Sequence, residues 1–224
     1  MEYRPCIDIH NGKVKQIVGG SLEDEGDRAN ENFVSKRDAD FFAEFYAKDG
    51  LKGGHVIMLN KPDSPFYEET KHQALLALHT YPGGMQIGGG ITAENAPYFI
   101  AEGASHVIVT SYVFSEGRVD MDHLKKLVEA VGKEHIVLDL SARRLEDDYY
   151  IVTDRWQHFT KEKITPELLD QLSVYCDEFL IHAADITHIK EVGDGKINIT
   201  IGSALDIFGG NLNYETVLSY VQDV

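Results

Sequence analysis

Short β-branched runs alternate along this chain with longer amphipathic or polar stretches. The runs Arg4–His10, His55–Asn60, Met85–Gly88, His106–Ser111, His135–Ser141, Glu178–Ala183 and Ile197–Gly202 predict strands. Asp38–Lys48, Glu69–His79, Ala93–Glu102, Met121–Val131 and Pro166–Tyr175 predict helices. The strand runs are apolar throughout rather than alternating, the pattern of a parallel sheet covered on both faces. Repeated βα units in this number favour a closed (βα)8 TIM barrel, an α/β fold, over an open doubly wound sheet. Helix starts agree: Thr92 stands before Ala93-Glu94-Asn95 as an N-cap with Asn at N3, and Thr165 caps a helix with Pro166 at N1. Asp24–Asn32 and Arg143–Asp148 are charged and aperiodic, so they predict exposed loops after strand ends, where lids over a catalytic face belong.

Length and composition narrow this picture. A chain of 224 residues that is 43% hydrophobic suits one barrel domain spanning residues 1–224. No apolar run approaches the roughly 20 residues of a membrane span, so no membrane partner is expected. The start of the chain lacks a secretory pattern and only Cys6 and Cys176 are present, which predicts a cytoplasmic protein. A net charge of −16 argues against nucleic acid as a partner. It would also repel a phosphorylated ligand, unless backbone N–H groups and helix N-termini make the site locally positive.

Two aspartates stand out because each is the one carboxylate in an apolar strand. Asp8 lies in Cys6-Ile7-Asp8-Ile9-His10-Asn11-Gly12, and Asp139 in His135-Ile136-Val137-Leu138-Asp139-Leu140-Ser141. An ionisable group there costs free energy unless it is paired or used, and the C-terminal end of a barrel strand points to the catalytic face. The bland alternative for Asp8 is a turn cap serving Asn11-Gly12. As strands one and five of eight, the pair would lie across the barrel mouth, where one could donate and the other accept a proton. Gly88-Gly89-Gly90 ends a strand before a helix start and lets backbone N–H groups approach an anion; Thr110-Ser111 and Gly202-Ser203 end strands in small residues of the same kind. His10, His182 and His188 lack metal-ligand spacing, so no metal is expected, and Cys6, with no partner base, reads as packing.

Taken in order, Pro5–Gly20, Gln86–Ile91, Val137–Ser141, Thr153-Asp154-Arg155-Trp156, Phe179–Asp185 and Gly202–Asn211 resemble the eukaryotic-type branch of phosphoribosylformimino-aminoimidazole carboxamide ribotide isomerase. The resemblance spans nearly the whole chain and implies an Amadori rearrangement in histidine biosynthesis, aldose to ketose, without a cofactor. It implies Asp8 as general base and Asp139 as general acid, the latter protonated at the start of the cycle through apolar walls and substrate charge. It further implies a bisphosphorylated small-molecule substrate, with one phosphate near Gly89-Gly90 and Ser111 and the other near Gly202-Ser203. Trp156 matches a loop tryptophan of the family and either stacks on the substrate's ring or packs its own loop. Arg143 and Arg155 either pair with substrate or stay solvated. A monomer is expected.

The chain departs from the family in one place. Asp139 follows Asp8 by 131 positions, but Ser203 follows Ser111 by only 92, a shortfall of 39 between quasi-repeated halves. Between Asp185 and Ile199 there is room for one short helix, 186–192. About 35–40 residues with a seventh strand are therefore expected to be missing, with the junction at Asp185 and Ile186. The chain is either interrupted there or carries a real deletion. The deletion motivates a second reading, a noncatalytic phosphosugar-binding remnant, beside a third, the related imidazole glycerol phosphate cyclase supplied with ammonia by a partner.

Overall fold

The computed structural model describes residues 3–17, 29–146, 148–153, 158–180, 199–201, 205–208, 211 and 213–222. The chain divides into two compact units, one built from residues 1–89, 102–105 and 195–224 and the other from residues 90–101 and 106–194.

The first unit begins with β1 (Tyr3–His10), which turns back into β2 (Lys13–Ile17) and β3 (Glu31–Val34). Then follow α1 (Ala39–Lys48), β4 (Gly54–Met58), α2 (Tyr67–Thr80) and β5 (Met85–Gly88). The second unit contains α3 (Ala96–Ala101), β6 (His106–Val109), the short hairpin β7 (Phe114–Ser115) and β8 (Arg118–Val119), and α4 (Met121–Val131). It continues through β9 (Ile136–Asp139), β10 (Ala142–Leu145), β11 (Asp148–Thr153), β12 (His158–Lys163), α5 (Pro166–Ser173) and β13 (Glu178–Leu180). The chain returns to the first unit with β14 (Ile199–Ile201) and α6 (Tyr214–Gln222).

In the first unit β1 is the hub. It pairs in parallel with β4, Asp8 opposite Ile57, and with β14, Tyr3 opposite Ile199, while β4 pairs in parallel with β5. The pleat gives β1 two faces: Pro5, Ile7 and Ile9 are buried on one, and Cys6, Asp8 and His10 share the other. Helix α1 buries Ala39, Phe42, Ala43 and Tyr46, the 3.6-residue stripe of a helix packed on a core. Its first free N–H, at Ala39, donates to Gln73 Oε1 of α2 at 2.9 Å, so a neighbouring helix caps it. Phe42 stacks on Phe208 at 5.2 Å, and the Tyr214 hydroxyl donates to Asp49 at 2.6 Å, which ties α6 to the end of α1.

In the second unit β6, β9 and β13 pair in parallel, Val109 opposite Leu138 and Leu180 opposite Asp139. Asp120 caps α4 by accepting from the N–H groups of Asp122 and His123. Thr165 caps α5 by accepting from Leu168 N–H, with Pro166 in the first turn as expected.

The sequence reading misses in several places. The predicted loop Arg143–Asp148 is exposed at every described residue, as expected, but Arg143–Leu145 and Asp148 pair as strands of a three-stranded antiparallel sheet, β10-β11-β12, whose buried Ala142, Ile151, Val152 and Thr160 are too sparse for a periodicity signal. The helix expected over Ala93–Glu102 runs as a turn over residues 93–95 and becomes regular over Ala96–Ala101; Asn95, expected at N3, accepts from the N–H of the expected cap Thr92 at 2.8 Å, the returning bond of a capping box. The strand expected over His106–Ser111 stops at Val109 and passes into a 3-10 turn, Ser111–Val113. Helix α6 and strands β2 and β3 were not anticipated. The Asp185–Ile186 junction, the helix expected at 186–192 and most of the loop expected at 24–32 lie outside the described residues. Among the described residues no helix is long and apolar enough to cross a membrane.

One glycine is demanded by the packing of the first unit. Gly89 follows β5 with φ +102, and a Cβ placed there would overlap the Met58 carbonyl oxygen at the end of β4. Both the left-handed backbone and the close approach exclude a side chain. Gly89→Ala is therefore expected to destabilise the protein by about 3 kcal/mol or more; a urea titration showing a loss below about 1 kcal/mol would contradict this packing.

Candidate active site

Asp8 stands near the end of β1, between Cys6 and His10 on the same face. Among the described residues no hydrogen bond or ion pair reaches its carboxylate, and burial pushes the carboxyl up to about 6. A carboxylate so tuned is mostly ionised at neutral pH yet close enough to titration to take up a proton readily, the property of a general base. The Cys6 thiol lies 3.9 Å from His55 Nδ1 on β4. Burial, with Asp8 nearby, holds that thiol well above its usual range, so it stays protonated and packs, as the sequence suggests.

The Asn11-Gly12 turn after β1 is not served by Asp8. Asn11 and Gly12 both have positive φ, +51 and +69, as a two-residue hairpin into β2 requires. Asn60, just past β4, and Thr70 of α2 bond to the turn instead. The bland alternative for Asp8 therefore fails.

Asp139 occupies the end of β9 in the second unit, and its surroundings differ. The Thr110 hydroxyl donates to one carboxylate oxygen at 3.1 Å, and the Ser141 hydroxyl donates to the other at 2.9 Å. The apolar walls expected around this residue are replaced, on this side, by two hydroxyls that fix the plane of the carboxyl. Thr110, expected to grip phosphate, directs its side chain to Asp139, while Ser111 begins the 3-10 turn and is exposed.

The chain matches the model of the histidine biosynthesis protein family over residues 3–194. It is 44% identical to the chloroplastic 1-(5-phosphoribosyl)-5-(5-phosphoribosylamino)methylideneamino imidazole-4-carboxamide isomerase of Medicago truncatula, an alignment covering 98% of this chain and 81% of the relative. Relatives of the same name in Neurospora crassa and Yarrowia lipolytica are 38% and 37% identical, over 93% and 94% of this chain and 93% of each relative. This chain belongs to that isomerase family. The family fold is the (βα)8 barrel, to which the parallel strands and intervening helices of both units conform.

The alignments also measure what this isomerase lacks. The Medicago comparison runs over 259 residues while covering 98% of a chain of 224, so about 39 positions of that relative have no counterpart here. The Neurospora comparison, over 246 residues and 93% of the chain, leaves about 38. These figures agree with the shortfall of 39 between Asp8–Asp139 and Ser111–Ser203. The described residues carry seven parallel strands: β1, β4, β5 and β14 in one unit, β6, β9 and β13 in the other. Residues 181–198, between β13 and β14, suffice for one crossover of a dozen or more residues but not for two with a strand between them.

Of the other expected site residues, Gly88 is buried at the end of β5, Gly89 is held against β4, and Gly90 is exposed, its carbonyl accepting from Asn95 Nδ2 at 3.0 Å. A substitution at Gly89 would therefore disturb folding before it reported on phosphate binding. Arg155, Trp156, Gly202, Ser203, His182 and His188 lie outside the described residues. Arg143 lays its guanidinium over the Phe159 ring at 5.4 Å. Among the described residues no group of three or more His, Cys, Asp or Glu could hold a metal. Sequence reasoning missed Asn60, Thr70 and Ser141; for Asn60 a signal existed, a lone amide closing an apolar strand run.

The raised Asp8 carboxyl has a consequence for stability. Below the ordinary carboxyl range both folded and unfolded chains hold the proton. Between that range and about 6 only the unfolded chain ionises, so stability falls as pH rises; above 6 the penalty is constant. Asp8→Asn should therefore be more stable than the parent at pH 8 by about 1–3 kcal/mol, with the difference gone near pH 3.5. Denaturant titrations at the two pH values check this, and equal stability at pH 8 would mean that the carboxylate is well solvated.

Proposed function

We propose that this isomerase carries out its Amadori rearrangement with Asp8 as general base and Asp139 as general acid. The substrate is the bisphosphorylated aminoaldose, and the product is the aminoketose. Asp139 protonates the ring oxygen of the aminoaldose, opening it to a Schiff base. Asp8 then removes the proton from C2′, so that the electron pair moves toward nitrogen and an enolamine forms. Asp8 returns that proton to C1′ while the C2′ hydroxyl gives up its own, restoring the acid form of Asp139 and yielding the ketose. The observation that carries this reading is that each carboxylate stands at or near the end of a parallel strand, Asp8 with no hydrogen bond to it among the described residues and Asp139 held in a defined plane by two hydroxyls; the division into base and acid follows the family resemblance. The chemistry moves protons within one molecule, so no cofactor is required.

Gly88, Gly89 and Gly90 with Thr110 and Ser111, and Gly202 with Ser203, are our candidates for phosphate contacts through backbone N–H groups; Arg155 and Trp156 are candidates for the rest of the substrate. We read the protein as a monomer, acting on a small molecule and not on nucleic acid, in keeping with its net charge of −16. A reducing compartment such as the cytoplasm suits its two free thiols. One observation favours a second reading, binding without turnover: the roughly 40 positions of its relatives that have no counterpart here.

Turnover decides between the two. The purified protein should convert the aminoaldose to its ketose, followed by absorbance, and no detectable conversion would favour the binding remnant. Asp8→Asn and Asp139→Asn should each lower kcat by more than about a hundredfold while the protein stays folded. The pH profile should be bell-shaped, its limbs belonging to the pair. A variant within tenfold of the parent would remove that residue from the mechanism.

A further inference from the structure

The backbone ladder between β1 and β4 ends where Leu59 N–H donates to the Ile9 carbonyl at 2.9 Å. One step further, a side chain takes over. The Asn60 carboxamide oxygen accepts from Asn11 N–H at 2.8 Å, and its amide nitrogen donates to Asn11 Oδ1 at 2.8 Å. The same oxygen accepts from the Thr70 hydroxyl at 2.7 Å, and the same nitrogen donates to Ser64 Oγ at 3.3 Å. Thr70 Oγ1 in turn accepts from Gly12 N–H at 3.1 Å. Both lone pairs and both protons of the amide are thereby used, and Asn60 is only 3% exposed. A fully satisfied buried network of this kind specifies one geometry, because any displacement leaves polar groups unpaired.

What it specifies is the turn three residues after Asp8. Asn11 holds a left-handed backbone, uncommon for any residue with a side chain, and its N–H and side-chain oxygen both terminate on Asn60. We propose that Asn60 is a positioning residue for Asp8, anchoring the C-terminal end of β1 to the end of β4 so that the carboxylate is presented at one fixed height and direction. This rests on Asp8 being the general base. It assigns a role to a residue outside the acid–base pair and the phosphate-contacting loops. The ionisable groups on the same face of β1 are Arg4, Cys6 and His10, with His55 opposite Cys6 on β4, and the adjoining β2 carries Lys13 and Lys15, the latter paired with Glu31 of β3; Asn60 adds no charge to this set and works through geometry alone.

The test uses the full-length isomerase with its aminoaldose substrate, comparing the parent with Asn60→Ala, Asn11→Gly and Asp8→Asn. Asn60→Ala should lower kcat by about ten- to a hundredfold, the cost of misplacing a catalytic group by an ångström or less, with KM changed by less than about threefold. The acidic limb of kcat/KM should move to lower pH, since a loosened turn admits water to Asp8. A merely structural role would lower the melting temperature without moving that limb. Should Asn60→Ala fail to fold, Asn11→Gly takes its place: glycine keeps the left-handed turn and removes only the side-chain half of the clamp, and it should show the same kcat loss and limb shift to a smaller degree. A folded Asn60→Ala, or in its absence Asn11→Gly, with kcat within twofold of the parent and an unmoved limb, while Asp8→Asn is inactive, overturns the positioning role alone. An active Asp8→Asn overturns the acid–base reading and this proposal with it.

Discussion

The pairing of β1 is the constraint on which the first unit depends. One eight-residue strand accepts β4 and β14 in parallel and turns back into β2, so it joins chain segments separated by nearly two hundred positions. The pleat of a strand so pinned leaves its side chains no choice of face. Ile7 and Ile9 go to the apolar side, and Cys6, Asp8 and His10 to the other. A register slip by one residue would send Asp8 into the packing against the helices, at the cost of an unpaired buried charge. The same ladder that holds the fold together therefore delivers a carboxylate to one place.

The two aspartates illustrate how local environment sets chemically identical groups apart. Burial without a partner raises the Asp8 carboxyl into the range where it can exchange a proton near neutrality. Two hydroxyls, from Thr110 at the end of β6 and Ser141 just after β9, hold the Asp139 carboxyl in a defined plane. Neither environment draws on the chain's net charge of −16. An acidic protein that handles a phosphorylated substrate must do so with uncharged donors close at hand, and backbone N–H groups at glycine-rich strand ends are the donors least hindered by side chains.

The missing length bears on both fold and activity. The alignments leave about 40 positions of the relatives without a counterpart here, a length comparable to one βα unit of the family fold. The chain retains Asp8, Asp139 with its hydroxyl partners Thr110 and Ser141, and the glycines Gly88-Gly89-Gly90. Within its unit β1 has the parallel partners β4 and β14, and within the other β9 has β6 and β13.

Much of this was legible in the sequence, for a physical reason. Apolar β-branched runs and amphipathic stretches located β5 and α4 to the residue and most other elements within two or three, because burial on a periodic face leaves a periodic trace. The caps at Thr92 and Thr165 follow local rules, and Asn11-Gly12 reads as a turn. A lone carboxylate in an apolar strand marked Asp8 and Asp139, since such a residue persists only for a use or a partner. The numbering offset, set against the quasi-repeated halves of the family the chain resembles, exposed the shortfall. Tertiary structure decided what depends on residues far apart in the chain. The sheet β10-β11-β12 has polar strands whose pairing has no periodic signature, and Gly89 is needed because Met58, thirty-one positions earlier, lies where its side chain would go. Thr110 belongs to Asp139 rather than to a free loop, and Asn60 closes on Asn11 across forty-nine positions. Hydrogen bonds between such distant groups leave no local pattern, because what selects them is a distance in space that the order of residues does not encode.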